Sequence, residues 1–248
     1  MNKGFVSANE GLNSATIEFF HPKSNAMSSF LLDELSDKIT ELGKRSNLNT
    51  ILLKSSGDVF CAGAYFDELL AVNDLAAGER FFMGFAKLIL AMKTAKPLVV
   101  IAVQGKAIGG AVGMIAAADY VIASSKALVR LSELSIGIGP FVISPVIKSK
   151  VTNASFMQLA LNPKNWFDCS WCFEKGLFNQ VVDPSALNSE VENKIQELSM
   201  YNTEAIHALK LEGDDSSLDK EMLRLAKISG ELVTSAATKQ ILKTFISK

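Results

Sequence analysis

Pro97-Leu98-Val99-Val100-Ile101-Ala102-Val103 leads through Gln104 into Gly105-Lys106-Ala107-Ile108-Gly109-Gly110-Ala111. An apolar, β-branched run bounded by a proline reads as a buried strand, and the small residues after it read as a sharp turn opening a helix. The same arrangement occurs earlier, where Thr50-Ile51-Leu52-Leu53-Lys54 precedes Phe60-Cys61-Ala62-Gly63-Ala64. Glycine and alanine let the backbone bend and leave its N–H groups uncovered. Two such groups aimed at one point would hold the oxygen of a polarised carbonyl, the chemistry of an oxyanion hole.

Outward from these turns, strand-like and helix-like segments alternate. Ala15 to Phe20 reads as a strand ending at His21-Pro22, and Tyr120 to Ala123 as another. Ser28 or Ser29 can cap a helix reaching Leu42, with Phe30, Leu31, Leu35 and Ile39 on its apolar stripe. Asp67–Val72, Ala77–Lys93 and Gly109–Ala118 read as helices, the second with Phe81, Phe82, Phe85, Leu88 and Ile89 facing inward. Repeated strand–helix units predict an α/β class with buried strands over residues 1–185. Residues 186–248 change character: Leu187–Met200, Asn202–Glu212 and Ser217–Ser235 are helix-like, a helical appendage suited to assembly or to closing a site.

Composition removes several classes of function. The chain has 248 residues, a formal net charge of -1 and no long basic run, which argues against nucleic acid as a main partner. The apolar stretch from Pro97 to Ala123 is interrupted by Gln104, Lys106, Asp119 and glycines, so no membrane span is expected. Met1-Asn2-Lys3-Gly4-Phe5 lacks the apolar segment of a secretory signal. Three cysteines suggest a reducing, cytoplasmic compartment rather than a disulfide scaffold. Cys169-x-x-Cys172 has too few partners for a zinc site, and its apolar, Trp-rich surroundings argue against a strand-to-helix redox turn, leaving structural thiols as the reading.

Phosphate-binding fingerprints are absent. Gly109-Gly110-Ala111-Val112-Gly113 lacks the dinucleotide register, and no Gly-x-Ser-x-Gly elbow occurs. His21, beside a proline, and His207, in an amphipathic helix, read as packing or surface residues rather than a catalytic base. Asp119 reads as structural, at a helix end. Glu133 lies in Val129-Arg130-Leu131-Ser132-Glu133-Leu134-Ser135-Ile136-Gly137, where lost solvation would raise its pKa toward that of a general base. The competing reading is that Glu133 caps a turn or pairs with Arg130.

Taken together, Gly-Asp-x-Phe-Cys-Ala-Gly-Ala, Val-Gln-Gly-Lys-Ala-x-Gly-Gly-Ala, Ala-Ala-Asp-Tyr-Val-Ile-Ala, Ser132-Glu133-Leu134-x-Ile136-Gly137 and Glu174-Lys175-Gly176-Leu177 resemble the crotonase superfamily, also called the enoyl-CoA hydratase/isomerase family. The resemblance runs over about residues 12 to 185. It implies a spiral of ββα units with a C-terminal helical trimerisation region, assembling as a homotrimer or a dimer of trimers. It implies acyl-CoA thioester substrates and no separate cofactor, since coenzyme A is part of the substrate. By motif position the thioester oxygen would be held by the N–H groups of Ala64 and Gly110. Ala62, Gly63, Gly109, Gly113, Pro140 and Phe141 would line the site, and Lys23 would meet a CoA phosphate. Asp67 stands where a phosphate-binding lysine is common; Lys239 and Lys243 of a neighbouring subunit are further candidates.

Family hydratases carry two glutamates. The second corresponds to Glu133; the first falls on Gly113, which has no side chain. One carboxylate suffices to move a double bond, taking a proton at C2 and returning it at C4. Isomerisation is therefore favoured over hydration, with Tyr65, Asp67 or Glu68 as candidate second acids. An enoyl-CoA or methylglutaconyl-CoA-type hydratase, a decarboxylase of the same fold and a non-catalytic CoA-binding assembly protein are the alternatives.

Overall fold

A computed structural model describes residues 3–212 and 217–246. Met1 and Asn2 of the N-terminal segment lie outside the described residues, as do residues 213–216 and 247–248.

Ten strands form two sheets. The larger takes β1 (Phe5–Glu10), β2 (Ser14–Phe20), β3 (Thr50–Ser55), β5 (Leu98–Val103), β7 (Tyr120–Ser124) and β10 (Gln180–Val182) in that spatial order. Within this sheet, among the described residues, only the β1–β2 hairpin is antiparallel. The smaller sheet is β4 (Val59–Cys61), β6 (Lys106–Ile108), β8 (Leu128–Arg130) and β9 (Phe167–Asp168). The chain thus alternates between sheets: β3 to β4, β5 to β6, β7 to β8, each pair followed by helical structure. That is the expected spiral of ββα units.

The larger sheet is covered on both faces, which is why its strands read as continuous apolar runs. On one face lie α1 (Ser29–Gly43) and, beyond it, α2 (Phe66–Ala71), α3 (Leu75–Thr94) and α4 (Gly110–Ala117). Ala15, Ile17 and Phe19 alternate into this side of the core with Leu31, Leu35, Ile39 and Leu42. The Ser28 hydroxyl accepts the Leu31 N–H at 3.3 Å, and Asp74 accepts the Ala77 N–H at 2.7 Å, fixing where α1 and α3 begin. Phe30 departs from the predicted stripe and is exposed, while Leu32 is buried in its place; the helix turns its core face slightly away from the first apolar residue.

The chain continues through α5 (Ser144–Val151), α6 (Asn153–Leu161) and α7 (Cys169–Glu174) to α8 (Leu187–Ser199), α9 (Thr203–Leu211), α10 (Leu218–Thr234) and α11 (Ala236–Ile246). Leu187 and Val191 of α8 cover the other face of the sheet, against Leu52, Val100 and Ile122. From α9, buried Lys210 reaches Asp119 at 2.8 Å and the carbonyls of Met92 and Pro97. Asp119 also accepts the Val99 N–H at 2.7 Å, so its role is structural, as read. His207 bonds the Leu48 carbonyl at 2.9 Å.

Helix α10 folds back along α3 of its own chain. An ideal Cβ on Gly78 would stand 2.9 Å from Gly230 Cα, and one on Gly230 would stand 2.6 Å from Glu79 N. The two helices therefore touch backbone to backbone. Lys239 of α11 donates to the carbonyls of Leu70 and Val72 in the same chain. Among the described residues no helix is long and apolar enough to cross a membrane.

Candidate active site

The two glycine turns meet. Gly63 has a positive φ of 83°, and a Cβ there would lie 2.7 Å from the Ile108 carbonyl oxygen, so the first turn rests on the backbone of the second. A parallel bridge joins Met27 to Ala64 through the Gly63 carbonyl and the Tyr65 N–H. That pairing leaves the Ala64 N–H unused. Gly109 (φ 57°) precedes α4 without a side-chain cap, and Gly110 is its first residue. The Gly110 N–H is thus one of the amides that the helix itself cannot satisfy.

Ala64 and Gly110 line one cavity of about 590 Å³. Its walls bring together Lys23, Ala62, Gly63, Gly109, Glu133, Pro140 and Phe141, with Phe82 and Phe85 from α3 and Ser229 from α10. Nine of the ten expected catalytic and substrate-binding residues therefore converge.

Gly113 is the exception: it is not among the lining residues. A Cβ there would stand 2.3 Å from Ile143 Cγ2, so the space a side chain would need is already filled. The correction has a simple cause: Gly113 sits one turn further along α4 than the cavity-lining glycines, and there Ile143 and Ile89 pack over its Cβ position, so Ile143 stands on the cavity wall in its place. Gly110 is packed as tightly, with a Cβ position 2.2 Å from the Phe85 ring.

Glu133 opens a single 3-10 turn, Glu133–Ile136, after β8. Its side chain lies against Gly109, where a Cβ would meet Oε1 at 2.9 Å. Oε2 is buried and has no hydrogen-bond partner among the described residues. Burial pushes the carboxyl up from 4.5 to about 7, opposed only by its own backbone N–H. The alternative pairing with Arg130 does not occur: among the described residues no Arg130 nitrogen lies within 4.0 Å of a carboxylate oxygen. Glu133 is a desolvated carboxyl on the cavity that Ala64 and Gly110 also line, able to exchange a proton near neutral pH.

The candidate second acids are otherwise engaged. Asp67 accepts the Tyr65 hydroxyl at 2.8 Å and the Lys23 ammonium at 3.1 Å, which together hold its carboxyl below the usual range. All three stand at the exposed rim of the cavity. Glu68 accepts the Ser29 N–H and hydroxyl at 2.8 and 2.7 Å, ordering the start of α1, and does not line the cavity. His21 packs against the Tyr65 ring at 5.0 Å, and burial, with the nearby Lys23 ammonium, lowers its pKa. The Lys23 ammonium is available to a phosphate only in competition with Asp67.

Cys169 and Cys172 require one correction. Cys169 is the first residue of α7, directly after β9, so the pair does sit at a strand-to-helix turn. The thiols are nevertheless free, Cys172 is buried with its pKa raised by desolvation, and Cys169 donates to the Ser125 carbonyl at 3.3 Å. No cluster of metal-ligating side chains occurs among the described residues.

Ser229 and Arg130 were not anticipated at the site. Ser229 arrives from a helix far along the chain, and local sequence carries no signal for that. Arg130, three residues before Glu133, was read only as a partner for it.

The family model described as "Enoyl-CoA hydratase/isomerase" matches residues 9–242. A short-chain-enoyl-CoA hydratase of Clostridium acetobutylicum is 27% identical over 240 residues, 94% of this chain and 91% of that protein. A (7aS)-7a-methyl-1,5-dioxo-2,3,5,6,7,7a-hexahydro-1H-indene-carboxyl-CoA hydrolase of Rhodococcus jostii is 29% identical over 134 residues, about half of each chain at 54% and 52%. The crystal structure of an enoyl-CoA hydratase from Bacillus halodurans superposes with a TM-score of 0.88 at 20% identity, covering 96% of this chain and 99% of that one, a likeness of fold.

Proposed function

The chain belongs to the enoyl-CoA hydratase/isomerase family, and on that premise we propose that it shifts a double bond in an acyl-CoA thioester, using Glu133 as its one acid/base. The thioester oxygen would accept the N–H groups of Ala64 and Gly110. Glu133 would take a proton from C2 of a 3-enoyl-CoA, giving a dienolate whose charge rests on that oxygen. Returning the same proton at C4 moves the double bond from C3–C4 to C2–C3 and restores the carboxylate. Two preorganised donors in a dry site lower such a barrier by several kcal/mol. As in the family, the resemblance suggests a homotrimer or a dimer of trimers.

The observation that carries the reading is the carboxylate inventory of the cavity. Glu133 is the one buried carboxyl on its lining, and the position of a second is filled by Ile143. Apolar neighbours Phe141, Val142 and Ile143 line the same wall and disfavour an attacking water. The relative matched over most of this chain carries a hydratase name, so the test sets the two reactions against each other. Purified protein is given 3-enoyl-CoA and, separately, 2-enoyl-CoA, and thioester absorbance and product mass are followed. Isomerisation should dominate and fall by about 10²-fold or more in Glu133→Gln. Water addition to 2-enoyl-CoA at a comparable rate, or isomerisation that survives the substitution, would overturn the proposal.

A further inference from the structure

Arg130 ends β8 in register with Ile108 of β6, and its carbonyl accepts the Gly109 N–H at 2.9 Å. Its side chain therefore stems from the strand beside the second oxyanion turn and lines the same cavity. The guanidinium lies over the Trp166 ring at 4.4 Å, and the Lys106 ammonium stands 5.1 Å from that ring. A guanidinium held by its face keeps its N–H edge free for a planar anion.

Among the described residues nothing takes that edge. Arg130 Nε is shielded from solvent and has no hydrogen-bond partner, and no carboxylate lies within salt-bridge distance. The remaining charges on the lining do not compensate it. Asp67 is held by Lys23 and Tyr65 at the rim, Glu133 lies against Gly109, and Lys164 adds a further cation. An arginine stays charged at any working pH, and a buried donor without an acceptor is costly. An anion arriving with the substrate would meet this uncompensated guanidinium where it lines the cavity.

We propose that Arg130 is the anion-recognition residue of the acyl cavity, and that the substrate is an acyl-CoA whose acyl chain carries a second, free carboxylate. This rests on the acyl-CoA reading above. The phosphates of CoA are the other source of an oxyanion. A planar carboxylate suits the sheltered, stacked guanidinium better than a hydrated phosphate, and it matches the two-pronged edge of arginine.

The test is binding of saturated thioesters, which cannot turn over. Glutaryl-CoA, pentanoyl-CoA and free CoA are titrated into wild-type protein, Arg130→Gln and Arg130→Lys by calorimetry. Wild type should hold glutaryl-CoA about 10- to 100-fold more tightly than pentanoyl-CoA, as expected for charge-assisted hydrogen bonds. Arg130→Gln should abolish that ratio and Arg130→Lys should keep part of it. Equal affinity of wild type for the two thioesters would overturn the proposal without any variant. A ratio that survives in Arg130→Gln would also overturn it, as would a loss shared equally by free CoA, which would assign Arg130 to a phosphate. If neither thioester binds wild type, the acyl-CoA reading fails and takes this one with it.

Discussion

Glu133→Gln should make the protein more stable, and by an amount that depends on pH. Burial raises the Glu133 carboxyl from 4.5 to about 7. Between those values the native state binds more protons than the unfolded one, so stability falls as pH rises. The contribution is fully present below about pH 4.5 and lost as pH passes about 7. At roughly 1.4 kcal/mol per pH unit, the whole span amounts to about 3 kcal/mol. The same linkage gives a loss of about 1 kcal/mol at pH 5 and about 3 kcal/mol at pH 8. Glutamine has the same shape and does not titrate, so the variant escapes the loss. Urea unfolding of both proteins, at one protein concentration, should show the variant's advantage to be about 2–3 kcal/mol larger at pH 8 than at pH 5. An advantage equal at the two pH values would refute the claim that Glu133 is held neutral by desolvation.

Three further outcomes follow from the same geometry. For isomerisation by wild type, kcat/KM should rise with pH through about 7 as the Glu133 carboxylate forms; a profile flat from pH 5 to 9 would contradict its role as base. Gly110→Ala puts a methyl 2.2 Å from the Phe85 ring, so it should destabilise by about 1–3 kcal/mol and lower kcat at least tenfold by displacing the amide; unchanged turnover would refute the proposed role of the Gly110 N–H as a donor to the thioester oxygen. Gly230→Ala would gain roughly 1 kcal/mol in an isolated helix, yet its Cβ would stand 2.6 Å from Glu79 N, so thermal unfolding should show a net loss of about 1–3 kcal/mol; a gain would mean that α10 does not pack on α3 as described.

Several parts of the fold were legible because each leaves a periodic or compositional trace. Long helices show their apolar stripe, as α3 does through Phe81, Phe85 and Leu88. The buried parallel strands β3 and β5 show unbroken apolar runs, and the two glycine turns show paired small residues. Strands β4, β6, β8 and β9 are two or three residues long, too short for an alternation to register. Glu133 was legible because a lone acid among Leu, Ile and Gly is costly to bury. What surrounds it was not. That Ile143 fills the space above Gly113, that Ser229 closes one wall from α10, and that Arg130 stacks on Trp166 are all packing facts between distant segments. The Cys169 misplacement has the same origin, since β9 is fixed by pairing with β8 and not by its own two residues.

The contact between Gly113 and Ile143 also bears on how this site could change over generations. Any side chain at Gly113 meets Ile143 at 2.3 Å, so a carboxylate cannot enter first. Ile143 is 3% exposed, and trimming it first would leave a void costing about 2–5 kcal/mol. Each single step is unfavourable, while the two together exchange volume for volume and should be strongly non-additive. A carboxylate at position 113 is therefore reachable only by a paired substitution, and the isoleucine acts as a ratchet that keeps that position without a side chain.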